Sequence, residues 1–164
     1  MLLEMEKGQF DSFGDLELFL ACSEPAVRRM SGREPAAKKE IMDELSEGQR
    51  AACLFRVLYP ASGSEKDFRA WLSYLLEQPS YWDGVLGSLR FFGEAAMLSL
   101  LEDARGVVEQ ANRGSRSGAA IEEGELHGQI GFLYESFRTI VPESVERIAV
   151  YIRSHPDQFV RLRH

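Results

Sequence analysis

The chain has 164 residues, of which 45% are hydrophobic and 27% charged, and its formal net charge at pH 7 is −7. This length fits one compact domain, and the composition is typical of a folded protein rather than a disordered one. The negative charge argues against direct binding of nucleic acid, which selects for clustered Lys and Arg. We expect a single domain over 1–164, in which a helical extension over 1–34 packs on a core formed by 35–164.

The composition and the apolar periodicity predict an all-α fold of about eight helices. Leu, Glu and Ala are abundant, whereas Thr occurs once, at Thr139. Straight-chain residues and Ala favour helices, and no segment shows the sustained apolar and polar alternation of a strand. In chain order, the predicted helices cover 9–22, 24–31, 35–59, 65–77, 79–89, 92–113, 125–140, 142–154 and 156–162.

Three apolar stripes at intervals of three and four residues predict the core, because each stripe must pack against another element to be stable. Five prolines lie where one apolar period ends and the next begins, and we interpret them as residues of helix first turns. These prolines are Pro25, Pro35, Pro79, Pro142 and Pro156. The residues that we expect to be largely buried are Leu100, Leu101, Ala104, Leu133, Phe137, Ile148 and Ile152.

The sequence indicates a cytoplasmic protein that does not contact a membrane. No apolar run approaches the roughly 20 residues that a membrane span requires. The first residues lack both the basic region and the apolar region of a signal peptide. Cys22 and Cys53 lie in apolar helical patterns, so we interpret them as reduced core thiols rather than as a disulfide or a catalytic nucleophile.

Signatures of metal binding, phosphate binding and catalysis are missing from the sequence. His127, His155 and His164 share no helix face, and the pair formed by Glu123 and His127 is too small to make a metal site. The segment 114–118 contains two glycines and an arginine, but no strand precedes it and no Walker lysine follows it, so we interpret it as a linker. We therefore expect no cofactor, no metal and no catalytic residue, and the sequence favours a non-enzymatic protein over an enzyme.

Four acidic residues in the predicted helix 35–59 form the first candidate site. At offsets 0, 3, 4 and 7 they share one helical face over about 10 Å, a face that is either solvated or a docking surface for a basic partner. Like charges at these spacings repel weakly, so the stripe carries a small cost in stability. This acidic stripe consists of Glu40, Asp43, Glu44 and Glu47.

An aromatic-rich centre forms the second candidate site. It contains both tryptophans of the chain, each beside a polar residue that is able to serve a ligand. Aromatic residues at this spacing form either core or a ligand or peptide groove. The candidate ligand-binding residues are Trp71, Tyr74, Tyr81 and Trp82.

Several short segments of the middle and the end of the chain together resemble a known family. They are Gln49-Arg50, Leu54-Phe55-Arg56-Val57-Leu58, Leu89-Arg90-Phe91-Phe92-Gly93-Glu94, Leu100-Leu101-Glu102-Asp103-Ala104, Leu133-Tyr134-Glu135-Ser136-Phe137 and Tyr151-Ile152-Arg153 with Phe159. Their order resembles an uncharacterised bacterial all-helical domain family that also occurs in a protein described as a DNA mimic. The resemblance covers about 45–160 and lacks that family's Asn-Gly-Gly-Phe segment. It implies a helical interaction domain whose acidic surface binds a DNA-binding protein.

Two functions follow from these observations. The first is a non-enzymatic interaction or regulatory module that uses an acidic face to bind a basic protein partner. The second is a small-molecule or peptide binder, or an enzyme, that uses an aromatic pocket around Trp71 and Trp82. A pocket of a few hundred Å³ with converging polar groups favours the second. The oligomeric state stays open at this point.

Overall fold

Eight α-helices account for most of the chain in the computed structural model, which describes residues 2–117 and 123–164. The predicted all-α fold is therefore confirmed. Two short strands, β1 (Leu3–Glu6) and β2 (Val160–Arg163), and 3₁₀ turns at Tyr59–Ser62 and Pro156–Gln158 complete the regular structure of these residues. The helices are α1 (Lys7–Ser12), α2 (Asp15–Met30), α3 (Pro35–Glu44), α4 (Glu47–Leu58), α5 (Glu65–Leu76), α6 (Pro79–Phe91), α7 (Ala95–Ser117) and α8 (Glu123–Ser154).

The predicted helix over 35–59 is wrong, because the chain breaks between α3 and α4. Leu45 leaves the helix with extended backbone, and its buried side chain joins a small apolar cluster with Ala26 and Cys53. Ser46 then caps α4: its hydroxyl accepts from the backbone N–H of Gln49, and the Gln49 side chain accepts from the backbone N–H of Ser46. This reciprocal pair is a capping box, which starts a new helix.

Two of the five prolines lie inside helices rather than in first turns. Pro25 lies within α2, so the predicted helices 9–22 and 24–31 are wrong, and the break comes earlier, at the residues that separate α1 from α2. Pro142 lies within α8, which joins the predicted helices 125–140 and 142–154. Pro35, Pro79 and Pro156 do occupy first-turn positions, as predicted.

The remaining differences concern chain ends and the linker. The predicted helix 156–162 is wrong, because a 3₁₀ turn is followed there by β2, which pairs in parallel with β1. The pairing places Glu4 opposite Arg161 and Glu6 opposite Arg163, with the charges forming ion pairs across the ladder. The predicted loop 114–118 is helical over 114–117, and Gly118 lies outside the described residues.

The chain divides into two compact units. Unit 1 consists of Met1–Val57 and Pro142–His164, and unit 2 of Leu58–Val141. In unit 1 the rings of Phe19 and Phe55 meet edge to face, with their centroids 5.5 Å apart. The other fully buried side chains of unit 1 include Leu18, Ala52, Ile148, Ala149, Ile152 and Phe159.

Unit 2 is built on packing among α5, α6 and α7 and on an aromatic contact between α5 and α8. The α6–α7 connection is a single tight turn: Gly93 has a φ of +71°, and the backbone N–H of Glu94 donates to the carbonyl of Leu89 at 2.8 Å. With the bond from the N–H of Gly93 to the carbonyl of Arg90, this is a Schellman motif. The turn fixes where α7 begins relative to α6.

Six of the seven residues predicted to be buried are buried, and Leu133 is the exception. Leu133 is only half-buried, whereas Tyr134 next to it is buried and donates its hydroxyl to the carbonyl of Ser62. The buried line of α8 therefore runs one residue away from the predicted stripe at this point. Its members are Ile130, Tyr134, Phe137, Val141, Val145, Ile148 and Ile152.

Both cysteines are free and buried, as predicted, and we expect them to be inert in the native protein. Burial raises the pKa of Cys22 and the pKa of Cys53 to about 12 each, so almost no thiolate exists at pH 8. A colorimetric thiol reagent should therefore label neither cysteine in native buffer and both cysteines in denaturant. Rapid labelling of one native thiol would contradict this burial.

Candidate functional site

The candidate site is a cleft of about 510 Å³ within unit 2, formed by the junction of α5 with α6 and by the second half of α7. The junction is short because Glu77 and Gln78 close the end of α5 with backbone hydrogen bonds, and Pro79 starts α6 at once. Proline suits this first position, since the N–H that it lacks has no partner within the helix there. The cleft is lined by Ser73, Leu76, Glu77, Pro79, Trp82, Asp83, Arg105, Val108, Glu109 and Asn112.

Negative charge predominates on the walls of this cleft, which we call the acidic cleft. Three carboxylates, from Glu77, Asp83 and Glu109, face one guanidinium, from Arg105. Among the described residues, Glu77 and Asp83 form no ion pair, so their charges stay available to a ligand. The lining therefore carries an excess of two negative charges over positive ones.

The only guanidinium of the lining is already bound within the cleft. The Nε of Arg105 donates to Oε1 of Glu109 at 2.9 Å, one helical turn along α7. This hydrogen bond and the charge of Glu109 raise the pKa of Arg105, with smaller contributions from Asp83 and Glu102. The same hydrogen bond lowers the pKa of Glu109. Both groups are therefore charged at neutral pH, and together they add no net charge.

Trp82 forms the apolar part of the acidic cleft. Its side chain is buried, with 3% of the residue exposed, and its indole Nε1 has no hydrogen-bond partner among the described residues. The Cζ atom of Arg105 lies over the indole ring, 5.9 Å from its centroid. A cation at this distance is attracted by the ring quadrupole. The wall thus combines an aromatic surface with carboxylates, a combination that suits an organic cation.

The structure separates the four predicted ligand-binding aromatics into two places. Trp82 lines the acidic cleft, whereas Trp71, Tyr74 and Tyr81 do not. These three instead form a chain of ring contacts at the surface of α5 and α6, in which Tyr74 lies 5.5 Å from Trp71 and 6.4 Å from Tyr81. Tyr74 is 43% exposed, and Trp71 and Tyr81 are half-buried, so none of the three belongs to the fully buried core.

The acidic stripe does not lie on a single helix face. Glu40, Asp43 and Glu44 belong to α3, whereas Glu47 begins α4 beyond the break at Leu45. The geometrical premise of the stripe is therefore wrong, although its role in partner binding stays a prediction.

Two of the four stripe carboxylates also have basic partners. Asp43 pairs with Lys39 at 3.1 Å, and Glu44 pairs with Arg29 of α2 at 2.8 Å. The hydrogen bond from Arg29, followed by its charge, lowers the pKa of Glu44.

Sequence reasoning identified Trp82 as a candidate ligand-binding residue with a polar neighbour, but missed the contribution of α7. Arg105 and Glu109 are four residues apart, which is the spacing of an ion pair on a helix surface, and this spacing was the available signal. The spacing alone does not show that α7 packs beside the α5–α6 junction, because that position depends on the tertiary structure.

No group of three or more potential metal ligands occurs among the residues that the structure describes. Over the same residues, no helix combines the length and the apolar character that crossing a membrane requires. The Nδ1 atom of His127 lies 3.5 Å from Oε1 of Glu65. The pair that the sequence suggests between His127 and Glu123 involves the Glu123 side chain, which lies outside the part that the structure describes.

Comparison with known proteins gives no relative: no family model, no curated protein and no solved structure matches this chain. The resemblance to the all-helical domain family therefore stays a prediction. The geometry of the acidic cleft is the basis for a functional proposal.

Proposed function

We propose that this chain is a non-enzymatic interaction module of the cytosol that binds a basic peptide segment of a protein partner in the acidic cleft. The observation that carries the proposal is the coincidence of a 510 Å³ cleft, an aromatic wall and an excess of carboxylates. Clefts between about 300 and 1,000 Å³ are the usual size of ligand sites. This volume accommodates a few side chains of an extended segment.

Charge complementarity identifies the class of partner. Glu77 and Asp83 flank the α5–α6 junction and lack ion-pair partners among the described residues, so a cationic side chain gains two carboxylates there that no ion pair already occupies. The net charge of −7 adds a long-range attraction for basic proteins, which raises the association rate at low salt. A DNA-binding protein, the partner class that the resemblance implies, carries basic segments of this kind.

The acidic cleft supports this function better than the acidic stripe does. In the stripe, Asp43 and Glu44 already have basic partners, and Glu47 lies on a different helix from the other three residues. A partner of the stripe would have to compete with Lys39 and Arg29. In the cleft, Glu77 and Asp83 form no ion pair among the described residues, and the one basic residue of the lining, Arg105, pairs with Glu109 instead.

The test is the affinity for a fluorescently labelled eight-residue peptide of alternating Arg and Gly, measured by fluorescence anisotropy. Neutralising the two unpaired carboxylates, in the double variant Glu77→Gln/Asp83→Asn, should weaken binding about tenfold, because two charge pairs are lost. The affinity of the unmodified chain should also fall as salt is raised from about 50 mM to 300 mM, because the distance over which exposed charges attract each other shrinks to a few ångströms at the higher concentration.

The matched control is Glu40→Gln/Glu47→Gln, which removes the same charge from the acidic stripe. It should leave the affinity within about twofold, because only the long-range attraction changes. The opposite ranking of the two double variants would move the binding site to the stripe. Equal weakening in both would show that only net charge matters, and would refute a specific site in the cleft.

A further inference from the structure

The guanidinium of Arg105 makes the contacts within the acidic cleft that an arginine of a ligand would make. Its Cζ lies 5.9 Å from the centroid of the Trp82 ring, and its Nε binds Oε1 of Glu109 at 2.9 Å. Asp83 contributes further negative charge around it. An aromatic face with carboxylates at its edge is the arrangement that recognises a planar cation.

We propose that the acidic cleft is an arginine-specific site that Arg105 occupies in the free protein and vacates when an arginine of the partner enters. Arg105 is thus an intramolecular competitor, which lowers the affinity for the partner rather than contributing to it. The proposal rests on the proposed function and adds to it the identity of the recognised side chain. It also predicts that the free protein binds such a segment more weakly than a variant without Arg105 does.

The position of Arg105 allows it to leave at low cost. Its side chain is 48% exposed, and its partner Glu109 is 45% exposed. Exposed ion pairs one helical turn apart contribute little to stability, because water solvates both charges when they separate. The Arg105 side chain is long and unbranched, so rotation about its bonds moves the guanidinium into solvent while α7 stays in place.

Arginine fits the vacated position better than lysine does. A guanidinium is planar and weakly hydrated, so it stacks on an indole face while its edge donates to a carboxylate. An ammonium group is a compact and strongly hydrated charge, which pairs with the carboxylates but gains less from the ring. The site should therefore distinguish the two residues through Trp82 rather than through its charge.

The test uses Trp71→Phe as the background, because the chain has two tryptophans and this change leaves Trp82 as the only indole reporter. In this background, Arg105→Ala should bind the alternating Arg-Gly peptide about fivefold to tenfold more tightly than its parent. The corresponding Lys-Gly peptide should gain only about twofold, through charge alone. The emission of Trp82 should shift in free Arg105→Ala and return toward the parent spectrum when the Arg-Gly peptide binds.

The matched control is Arg113→Ala, which removes one positive charge from the same helix two turns further on. It should leave the Trp82 emission unchanged and improve the affinity for both peptides equally and only slightly. If Arg105→Ala binds the Arg-Gly peptide no more tightly than Arg113→Ala does, or more weakly than its parent, the competitor role is refuted while the proposed function stands. If the parent binds neither peptide, the proposed function itself fails.

Discussion

Replacing Phe137 by Ala should lower the free energy of unfolding by about 3–5 kcal/mol, the largest effect that we expect of a single substitution in unit 2. Phe137 is 0% exposed, and its ring lies 4.9 Å from that of Phe68 on α5. Truncation removes this contact and leaves a cavity between helices that are held apart by other side chains. Urea denaturation followed by far-ultraviolet circular dichroism measures the change.

The matched control for this substitution is Phe132→Ala on the same helix. Phe132 is 74% exposed, so its truncation deletes the same number of atoms without opening a cavity. We expect a change within about 0.5 kcal/mol. Equal effects of the two substitutions would mean that the buried line of α8 has been assigned to the wrong face.

The second large effect concerns Gly48, near the start of α4. A Cβ atom at this position would lie 2.5 Å from Oε1 of Gln158, 2.9 Å from the ring of Phe159 and 3.1 Å from that of Tyr151. Oε1 of Gln158 also accepts from the backbone N–H of Gly48, and the Gln158 amide donates to the Tyr151 hydroxyl. Gly48→Ala should therefore displace a bonded side chain and destabilise the protein by about 1–3 kcal/mol.

Gly106→Ala in α7 should have the opposite effect on stability. A Cβ atom there meets nothing within 4 Å, so alanine gains helix propensity without a clash, and we expect stabilisation by about 0.5–1 kcal/mol. The two variants are compared by their thermal midpoints. A stabilised Gly48→Ala protein would show that α4 does not approach the C-terminal segment as closely as described.

The helix boundaries differ in how far the sequence determines them. The sequence does indicate the break before α4, because Ser46 and Gln49 have the spacing of a capping box. The helical spacing of Ile41 and Leu45 instead favoured one continuous helix. The continuity of α8 was readable too, since Phe137, Val141 and Val145 keep one apolar phase across Pro142. Burial on both sides of a proline outweighs the single hydrogen bond that the proline removes.

The strands and the acidic cleft were beyond the sequence for a different reason. Four residues of alternation, as in Leu3–Glu6 and Val160–Arg163, are too short to separate from chance without knowing that the two segments pair. Likewise, Trp82 was identifiable as an aromatic residue, but its neighbours Arg105 and Glu109 lie more than 20 residues away. Both features depend on contacts between distant segments, which periodicity does not report.

The parallel pairing of β1 with β2 has a consequence for the order in which the chain folds. Leu3 is opposite Val160, so unit 1 closes a loop that spans nearly the whole sequence, whereas unit 2 is one continuous segment. Long loop closures cost more entropy and slow the formation of the contacts that depend on them. During synthesis on the ribosome, the residues of unit 2 are complete before β2 exists. We therefore expect unit 2 to acquire structure first, and residues 1–57 to wait for the last segment of the chain before their core can close.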